Sequence, residues 1–185
     1  MDKELFPEEE VIEGCKKKKR YYQELLYRRF APKMYGVCLS YAQNREQASD
    51  ILHDSFLKIF RNIQSYQNKG SFEGWIRRIV TNTAIDHIRR KSKNVPLIND
   101  EIPEVEEIYE EPVAISMNEL HQQVARLPEG ARIVFNLYTL EGMTHHEIAE
   151  KLNITTGTSK SQFSRARQLL QGWVKELIQK KDGLS

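Results

Sequence analysis

The chain has 185 residues, 39% apolar and 29% charged, with a net charge of +2, enough for one medium domain or two small ones with modest cores. No apolar run approaches the roughly 18 to 20 residues of a membrane span, and the N-terminal MDKELFPEEE lacks the basic-then-apolar pattern of a secretion signal, so a cytoplasmic location is expected. Cys15 and Cys38 are too few for a disulfide framework and too far apart for a CxxC pair, which leaves buried or incidental thiols.

Apolar residues recur at helical spacing nearly throughout, glycine and proline are scarce inside the periodic segments, and no run alternates strictly with period two. The expected fold is therefore all-α: two small helical domains joined by a flexible acidic linker. Residues 1–20 read as an N-terminal extension, with the run Lys16 to Arg20 as the solvated start of the first helix. The first domain covers residues 21–92. Leu25, Leu26 and Phe30, then Met34, Tyr35, Val37, Cys38 and Tyr41, form an apolar face on which Pro32 is expected to mark a break or kink. A further helix runs from about Glu46 to Ile63, with Ile51, Leu52, Ser55, Phe56, Ile59 and Phe60 at steps of three and four. The polar stretch NIQSYQNKGS interrupts the pattern. Phe72, Trp75, Ile76, Ile79, Val80, Ile85 and Ile88 then define the buried stripe of a helix whose other face carries Arg77, Arg78, Asn82, Asp86 and Arg89. Asp86 is expected to pair with Arg89 or Arg90 one turn away. From Lys58 to Lys93 cations far outnumber the acids Glu73 and Asp86, the electrostatic footprint of a nucleic-acid partner.

Residues 93–114 contain three prolines, many acids and little periodicity, the signature of an extended linker. The second domain covers residues 115–181. Leu120, Val124 and Leu127 end one helix at Pro128, and Ala131, Ile133, Val134, Leu137 and Leu140 supply another before the Glu141-Gly142 turn. Thr144 stands three residues before Glu147, a capping box that places His145 and His146 as exposed residues in the first turn of a short helix ending near Leu152. A zinc-binding H-E-x-x-H would need histidine at position 150, which is Glu150, so no metal is expected. Asn153-Ile154 makes a turn, Thr155 caps the next helix, and the two helices form a helix-turn-helix. Phe163, Ala166, Leu170, Trp173, Val174 and Leu177 share one face of that second helix, leaving Lys160, Ser161, Ser164, Arg165 and Gln168 on the other. Those side chains suit the acceptors, donors and phosphates of a DNA major groove.

The stretch GSFEGWIRRIVTNTAIDHIRRKSK resembles the promoter-reading helix of bacterial sigma factors of the extracytoplasmic-function (ECF) type. The pattern W-x-x-R-I-x-x-N-x-A-x-D-x-x-R-R is present as Trp75, Arg78, Ile79, Asn82, Ala84, Asp86, Arg89 and Arg90. The preceding ASDILHDSFLKIF resembles the family's polymerase-binding helix, and residues 127–170 resemble its C-terminal helix-turn-helix domain. The resemblance implies a subunit that binds core RNA polymerase, directs it to promoters and helps open the DNA, without being an enzyme. It puts Asp50, His53, Asp54 and Lys58 against the coiled coil of the polymerase β′ clamp, where His53 departs from the more usual Gln. It makes the loop from Asn62 to Ser71 the element that captures an unpaired base of the −10 region, through Asn62, Gln64, Ser65 and Tyr66, with Lys69 on phosphate. Arg77, Arg78, Asn82, Arg89 and Arg90 would hold the separated strand.

The second domain would read the −35 element through Lys160, Ser161, Ser164 and Arg165, with Arg167 on a neighbouring phosphate, and would touch the polymerase β flap. Ser159 departs from the family's β-branched or aliphatic residue there. Further implied are an anti-sigma factor, in some cases membrane-bound, and acids in the linker that mimic nucleic acid. No cofactor and no small-molecule substrate is implied. Two other readings of the residues stay open: a self-sufficient helix-turn-helix regulator that binds duplex DNA without polymerase, and an enzyme built on His145, His146 and Glu147 or on Asp50, His53 and Asp54.

Overall fold

The computed structural model describes residues 6–91 and 115–182, and the expected acidic linker lies outside them. The chain divides into two compact units, Met1–Arg90 and Lys91–Ser185. Every regular element among the described residues is helical.

The first unit holds four α-helices: α1 (Glu8–Lys16), α2 (Arg20–Tyr41), α3 (Arg45–Asn62) and α4 (Phe72–Lys91), with a single 3-10 turn, Ile63–Ser65, after α3. Leu26, Met34, Ile51, Ile59, Ile76 and Val80 are all 0% exposed and form its centre. These positions are eight residues apart on α2 and on α3 and four apart on α4, close to whole helical turns, so each helix contributes one stripe to a shared core. Asn44 starts α3 by accepting a hydrogen bond from the Gln47 amide at 2.8 Å, while Gln47 Oε1 accepts one from the Gln43 amide at 2.8 Å. This reciprocal pairing satisfies amides that a helix start leaves free.

Two expectations are corrected in this unit. Residues Lys16 to Arg20 are not the start of the first helix: Lys16 ends α1, Lys17 to Lys19 turn the chain, and Arg20 begins α2. The helix α1 forms because Val11, Ile12 and Cys15 bury one narrow face, and Gly14 lets the Tyr22 ring approach so closely that an added Cβ would lie 2.2 Å from Tyr22 Cγ. Pro32 does not divide α2, which runs unbroken from Arg20 to Tyr41. A proline inside a helix removes one backbone bond, but Phe30, Met34, Val37 and Tyr41 are buried on both sides of it and hold the helix to the core. Both cysteines are buried free thiols, each pushed up to about 12 by burial and thus inert as nucleophiles at neutral pH.

The second unit holds α5 (Met117–Arg126), α6 (Glu129–Thr139), α7 (His145–Leu152) and α8 (Thr156–Asp182). Helices α5 and α7 each open with a complete capping box, Ser116 with Glu119 and Thr144 with Glu147. The core includes a cluster of Val124, Leu127, Ala131, Ala166 and Leu170, edged by Phe135, Leu169 and Trp173, and Val134, Leu137 and Ile148 are 0% exposed as well. Arg126 extends it by laying its guanidinium 4.3 Å from the Trp173 ring centroid. Arg132 is 1% exposed and donates from Nη1 to the carbonyls of Ala125 at 2.9 Å and Leu127 at 3.3 Å, satisfying acceptors at the end of α5.

Candidate nucleic-acid interface

The loop between α3 and α4 is shaped from within. Asn68 and Gly70 take left-handed conformations, φ 57° and 85°, which fold the loop back onto the start of α4. Ser71 Oγ accepts a hydrogen bond from the Gly74 amide at 3.1 Å and so caps that helix. Tyr66, expected to meet a base, is only 8% exposed. Its ring packs 4.9 Å from Phe72 and 5.6 Å from Trp75, and its hydroxyl donates to the Gly70 carbonyl at 2.9 Å. An aromatic ring flanked by two others loses more apolar burial by turning outward than a loop position supplies, so Tyr66 supports the loop instead of lining its outer surface.

Asn62, Gln64, Ser65 and Lys69 are exposed. Asn62 Nδ2 donates to the Lys58 carbonyl at 2.9 Å and Ser65 Oγ to the Asn62 carbonyl at 2.7 Å, while Gln64 Nε2 reaches the Lys16 carbonyl at 2.5 Å. The loop and α4 enclose a cleft of about 260 Å³ lined by Lys69, Gly70, Ser71, Gly74, Trp75 and Arg78. That is smaller than the pocket of a drug-sized ligand and of the order of one planar base. Trp75 supplies an aromatic wall, Lys69 and Arg78 supply charge for phosphate, and the two glycines leave backbone accessible. This combination suits a single nucleotide held by stacking and by its backbone.

Along α4, Arg78, Asn82, Arg89 and Arg90 are exposed and Arg77 is half-buried. Asp86 forms an ion pair across the packing, with Lys58 Nζ of α3 at 3.1 Å, so its carboxylate ties two helices together instead of serving only its own. The residue lies on the side of α4 that faces α3, where a lysine stem can reach it. A second link runs beside the first, from His87 Nε2 to Asp54 Oδ2 at 3.5 Å. Of the four residues expected to meet polymerase, Asp50 and His53 are exposed, while Asp54 and Lys58 are half-buried and joined to α4. Sequence reasoning missed His87, because nothing local marks a contact between residues 33 positions apart.

In the second unit, Asn153 adopts the left-handed conformation (φ 55°, ψ 52°) that ends α7, and the Ile154 amide returns to the Ala149 carbonyl at 3.0 Å. Thr155 Oγ1 accepts from the Thr158 amide at 3.0 Å and starts α8. These local bonds set the angle of the helix-turn-helix. Lys160 is exposed, and Ser161, Ser164, Arg165 and Arg167 are half-buried. Ser161 Oγ donates to the Thr158 carbonyl at 3.0 Å.

His145 is not an exposed first-turn residue. Its ring stacks on Tyr138 at 4.7 Å, meets the edge of Phe163 at 5.6 Å, and places Nδ1 2.9 Å from Ser159 Oγ. Ser159 is 0% exposed, so the position that departs from the family pattern is packed and has a polar partner. Burial, and then the charge of Lys160, hold the His145 pKa below its ordinary value. His146 is the exposed histidine, with Nδ1 3.7 Å from Glu150 Oε1.

Residues 26–94 match the family described as Sigma-70 region 2, and residues 117–170 match Sigma-70, region 4. The ECF RNA polymerase sigma factor SigW of Bacillus subtilis is 30% identical over 162 residues, which cover 80% of this chain and 86% of that protein. SigE of Mycolicibacterium smegmatis is also 30% identical, over 157 residues that cover 80% of this chain and 60% of the relative. The ECF sigma-E factor of Haemophilus influenzae is 25% identical over 192 residues, covering 95% and 99%. Among solved structures, the sigma factor RpoE of Bartonella quintana, in complex with the anti-sigma factor NepR, has a TM-score of 0.53 at 22% identity, covering 85% of this chain and 98% of that one, a likeness of fold. Two region matches in the family's order, with helices that place a polar loop in one unit and a helix-turn-helix in the other, make the chain a member of the ECF family of RNA polymerase sigma factors.

Proposed function

We propose that the chain acts in the cytoplasm as a promoter-specificity subunit: it binds core RNA polymerase, brings it to paired −10 and −35 elements and promotes opening of the DNA, without catalysing a reaction itself. The observation that carries this reading is the cleft at the loop and α4 junction, with Trp75 as its wall and Lys69 and Arg78 at its edge. In this reading one unpaired base of the −10 region enters the cleft, Asn62, Gln64 and Ser65 meet its neighbours, and Arg77, Arg78, Asn82, Arg89 and Arg90 hold the separated strand. Tyr66 acts behind them, through Gly70.

Helix α8 reads the −35 element with Lys160, Ser161, Ser164 and Arg165, and Arg167 takes a phosphate. Asp50 and His53 meet the clamp coiled coil directly, with Asp54 and Lys58 at its margin, and the second unit meets the β flap. An anti-sigma factor is a further partner, in keeping with the complex of the Bartonella quintana relative. The acids of residues 93–114 take the place of nucleic acid in the positive channel of the polymerase.

The test is transcription in vitro from a library of genomic fragments by purified core polymerase, with and without the protein. Transcripts that start at one shared pair of spaced motifs, only when the protein is present, support the proposal. Tight duplex binding by the protein alone, with no transcripts, would replace it with a self-sufficient regulator. Arg165→Ala and Lys160→Ala are expected to weaken promoter recognition and leave polymerase binding intact, and Asp54→Arg to do the reverse. Equal loss of both activities in every variant would refute this division.

A further inference from the structure

Five consecutive cations, Lys16 to Arg20, join α1 to α2, and the functions assigned above use none of them. Lys16 is engaged: its ammonium lies 2.9 Å from Glu13 Oε1. Lys17, Lys18, Lys19 and Arg20 are exposed, and none lies within ion-pair distance of a carboxylate among the described residues. Adjacent like charges repel; Lys16 and Lys17 are compensated by the Glu13 carboxylate, whose pKa they hold below its ordinary value, while Lys18, Lys19 and Arg20 have no ion pair among the described residues.

The backbone adds a second cost. Lys18 has φ 56°, the left-handed region in which glycine rests without strain and a lysine does not. Its amide donates to the Cys15 carbonyl at 2.9 Å and the Lys19 amide to the Gly14 carbonyl at 3.1 Å, which fixes the turn in that shape. A charged side chain held at a position that geometry reserves for glycine is a local loss of stability that calls for a gain elsewhere.

The turn also has a defined neighbour. Gln64 Nε2 donates to the Lys16 carbonyl at 2.5 Å, so the basic turn is hydrogen-bonded to the 3-10 turn that opens the −10 loop. Tyr22, whose hydroxyl donates to Glu10 Oε1 at 2.8 Å, and Arg29, whose Nη2 donates to the Phe6 carbonyl at 2.8 Å, hold α1 to α2 and keep the turn in place. The charge therefore sits beside the base-capturing loop on a fixed support.

We propose that Lys17, Lys18 and Arg20 form a second nucleic-acid contact, gripping the sugar–phosphate backbone of the promoter strand next to the stretch whose base the Asn62 to Ser71 loop captures. The contact is electrostatic and independent of sequence, so it adds affinity and retention of the opened strand but no promoter choice. It rests on the sigma-factor reading.

The experiment uses full-length protein in holoenzyme with core polymerase, and a forked promoter DNA in which the −10 region is single-stranded, with dissociation constants measured across a series of salt concentrations. The variant carries Lys17→Gln, Lys18→Gln and Arg20→Gln. Loss of three single-strand phosphate contacts lowers the slope of log affinity against log salt by about 2, and lowers affinity roughly 100-fold near 0.1 M salt. Affinity for core polymerase is expected to be unchanged, and discrimination among −10 sequences is expected to be preserved.

Lys18→Gly alone separates binding from folding. It relieves the backbone and removes one charge, so the proposal expects a higher melting temperature together with weaker, less salt-sensitive DNA binding. Tighter or unchanged binding by Lys18→Gly, or an unchanged slope in the triple variant, would overturn the contact. Weaker binding to core polymerase in the triple variant would also overturn it and assign the turn to a polymerase surface. If wild-type holoenzyme itself showed no promoter-dependent binding to the fork, the sigma reading would fail, an outcome distinct from each of these.

Discussion

Acidification from pH 8 to pH 5 should loosen the second unit through His145. The ring lies between Tyr138 and Phe163 with Nδ1 on buried Ser159, and burial first and Lys160 second hold its pKa below the ordinary 6.5. The unfolded chain then takes up a proton near pH 6.5 that the folded unit refuses until a lower pH, so the unfolded state binds more protons in that window and stability falls as pH falls through it. Above 6.5 the stabilisation is fully present, and below the folded pKa no more is lost. One proton limits the slope to about 1.4 kcal/mol per pH unit, and for a unit of this size about 1 kcal/mol moves the melting temperature roughly 4–8 °C. Glu147, whose carboxyl is held below 4.5 chiefly by its hydrogen bonds to Thr144, loses its share only below that value. The chain has one tryptophan in each unit, so a Trp75→Phe background lets Trp173 fluorescence report the second unit alone in thermal melts. His145→Gln should flatten the dependence. Equal slopes with and without the histidine, or stability that rises on acidification, would refute the reasoning.

Gly14→Ala places a methyl group 2.2 Å from Tyr22 Cγ, and the overpacking should cost about 1–3 kcal/mol, seen as faster hydrogen exchange in α1 than elsewhere in the first unit. Tyr66→Phe removes only the bond to Gly70 and should cost about 1 kcal/mol, whereas Tyr66→Ala also empties the space against Phe72 and Trp75 and should cost about 3–5 kcal/mol in urea unfolding. A base-reading role without a structural one would abolish that difference and leave both variants equally stable. Asn153→Gly should raise the stability of the second unit by a few tenths of a kcal/mol to about 1 kcal/mol, and Asn153→Val should lower it by about 1–2 kcal/mol, because only the first relieves the left-handed backbone.

The helices of both units were legible because their signals are local. Thr144 and Glu147 stand three residues apart, and the stripe from Ile51 to Ile59 needs only a count of residues. The helix α1 escaped because its buried face is four residues wide, includes Gly14, and lies between acidic and basic runs that resemble an exposed tail. Pro32 was misread because the rule against helix-interior proline is local, while the burial of Phe30 and Met34 that overrides it is tertiary. For the same reason Tyr66 was placed on the outside: its composition suits a reading loop, and only the positions of Phe72 and Trp75 show that its ring is taken. The partners of Asp86 and His87 lie 28 and 33 residues away on α3, beyond any spacing rule. His145 combines both causes, since its capping position was read correctly and its partners, Tyr138, Ser159 and Phe163, come from two other helices.

The paired capping boxes of α5 and α7 carry a consequence for how the second unit is made. Each supplies a start signal inside four residues, and Asn153 and Thr155 supply a stop and a restart within the next few. The loops to be closed before these interactions form are therefore short, which favours rapid folding and early nucleation at the helix starts. The first unit, completed before the second leaves the ribosome, can fold without waiting for it. Refolding of the second unit from denaturant should then be fast and set by its own short loops.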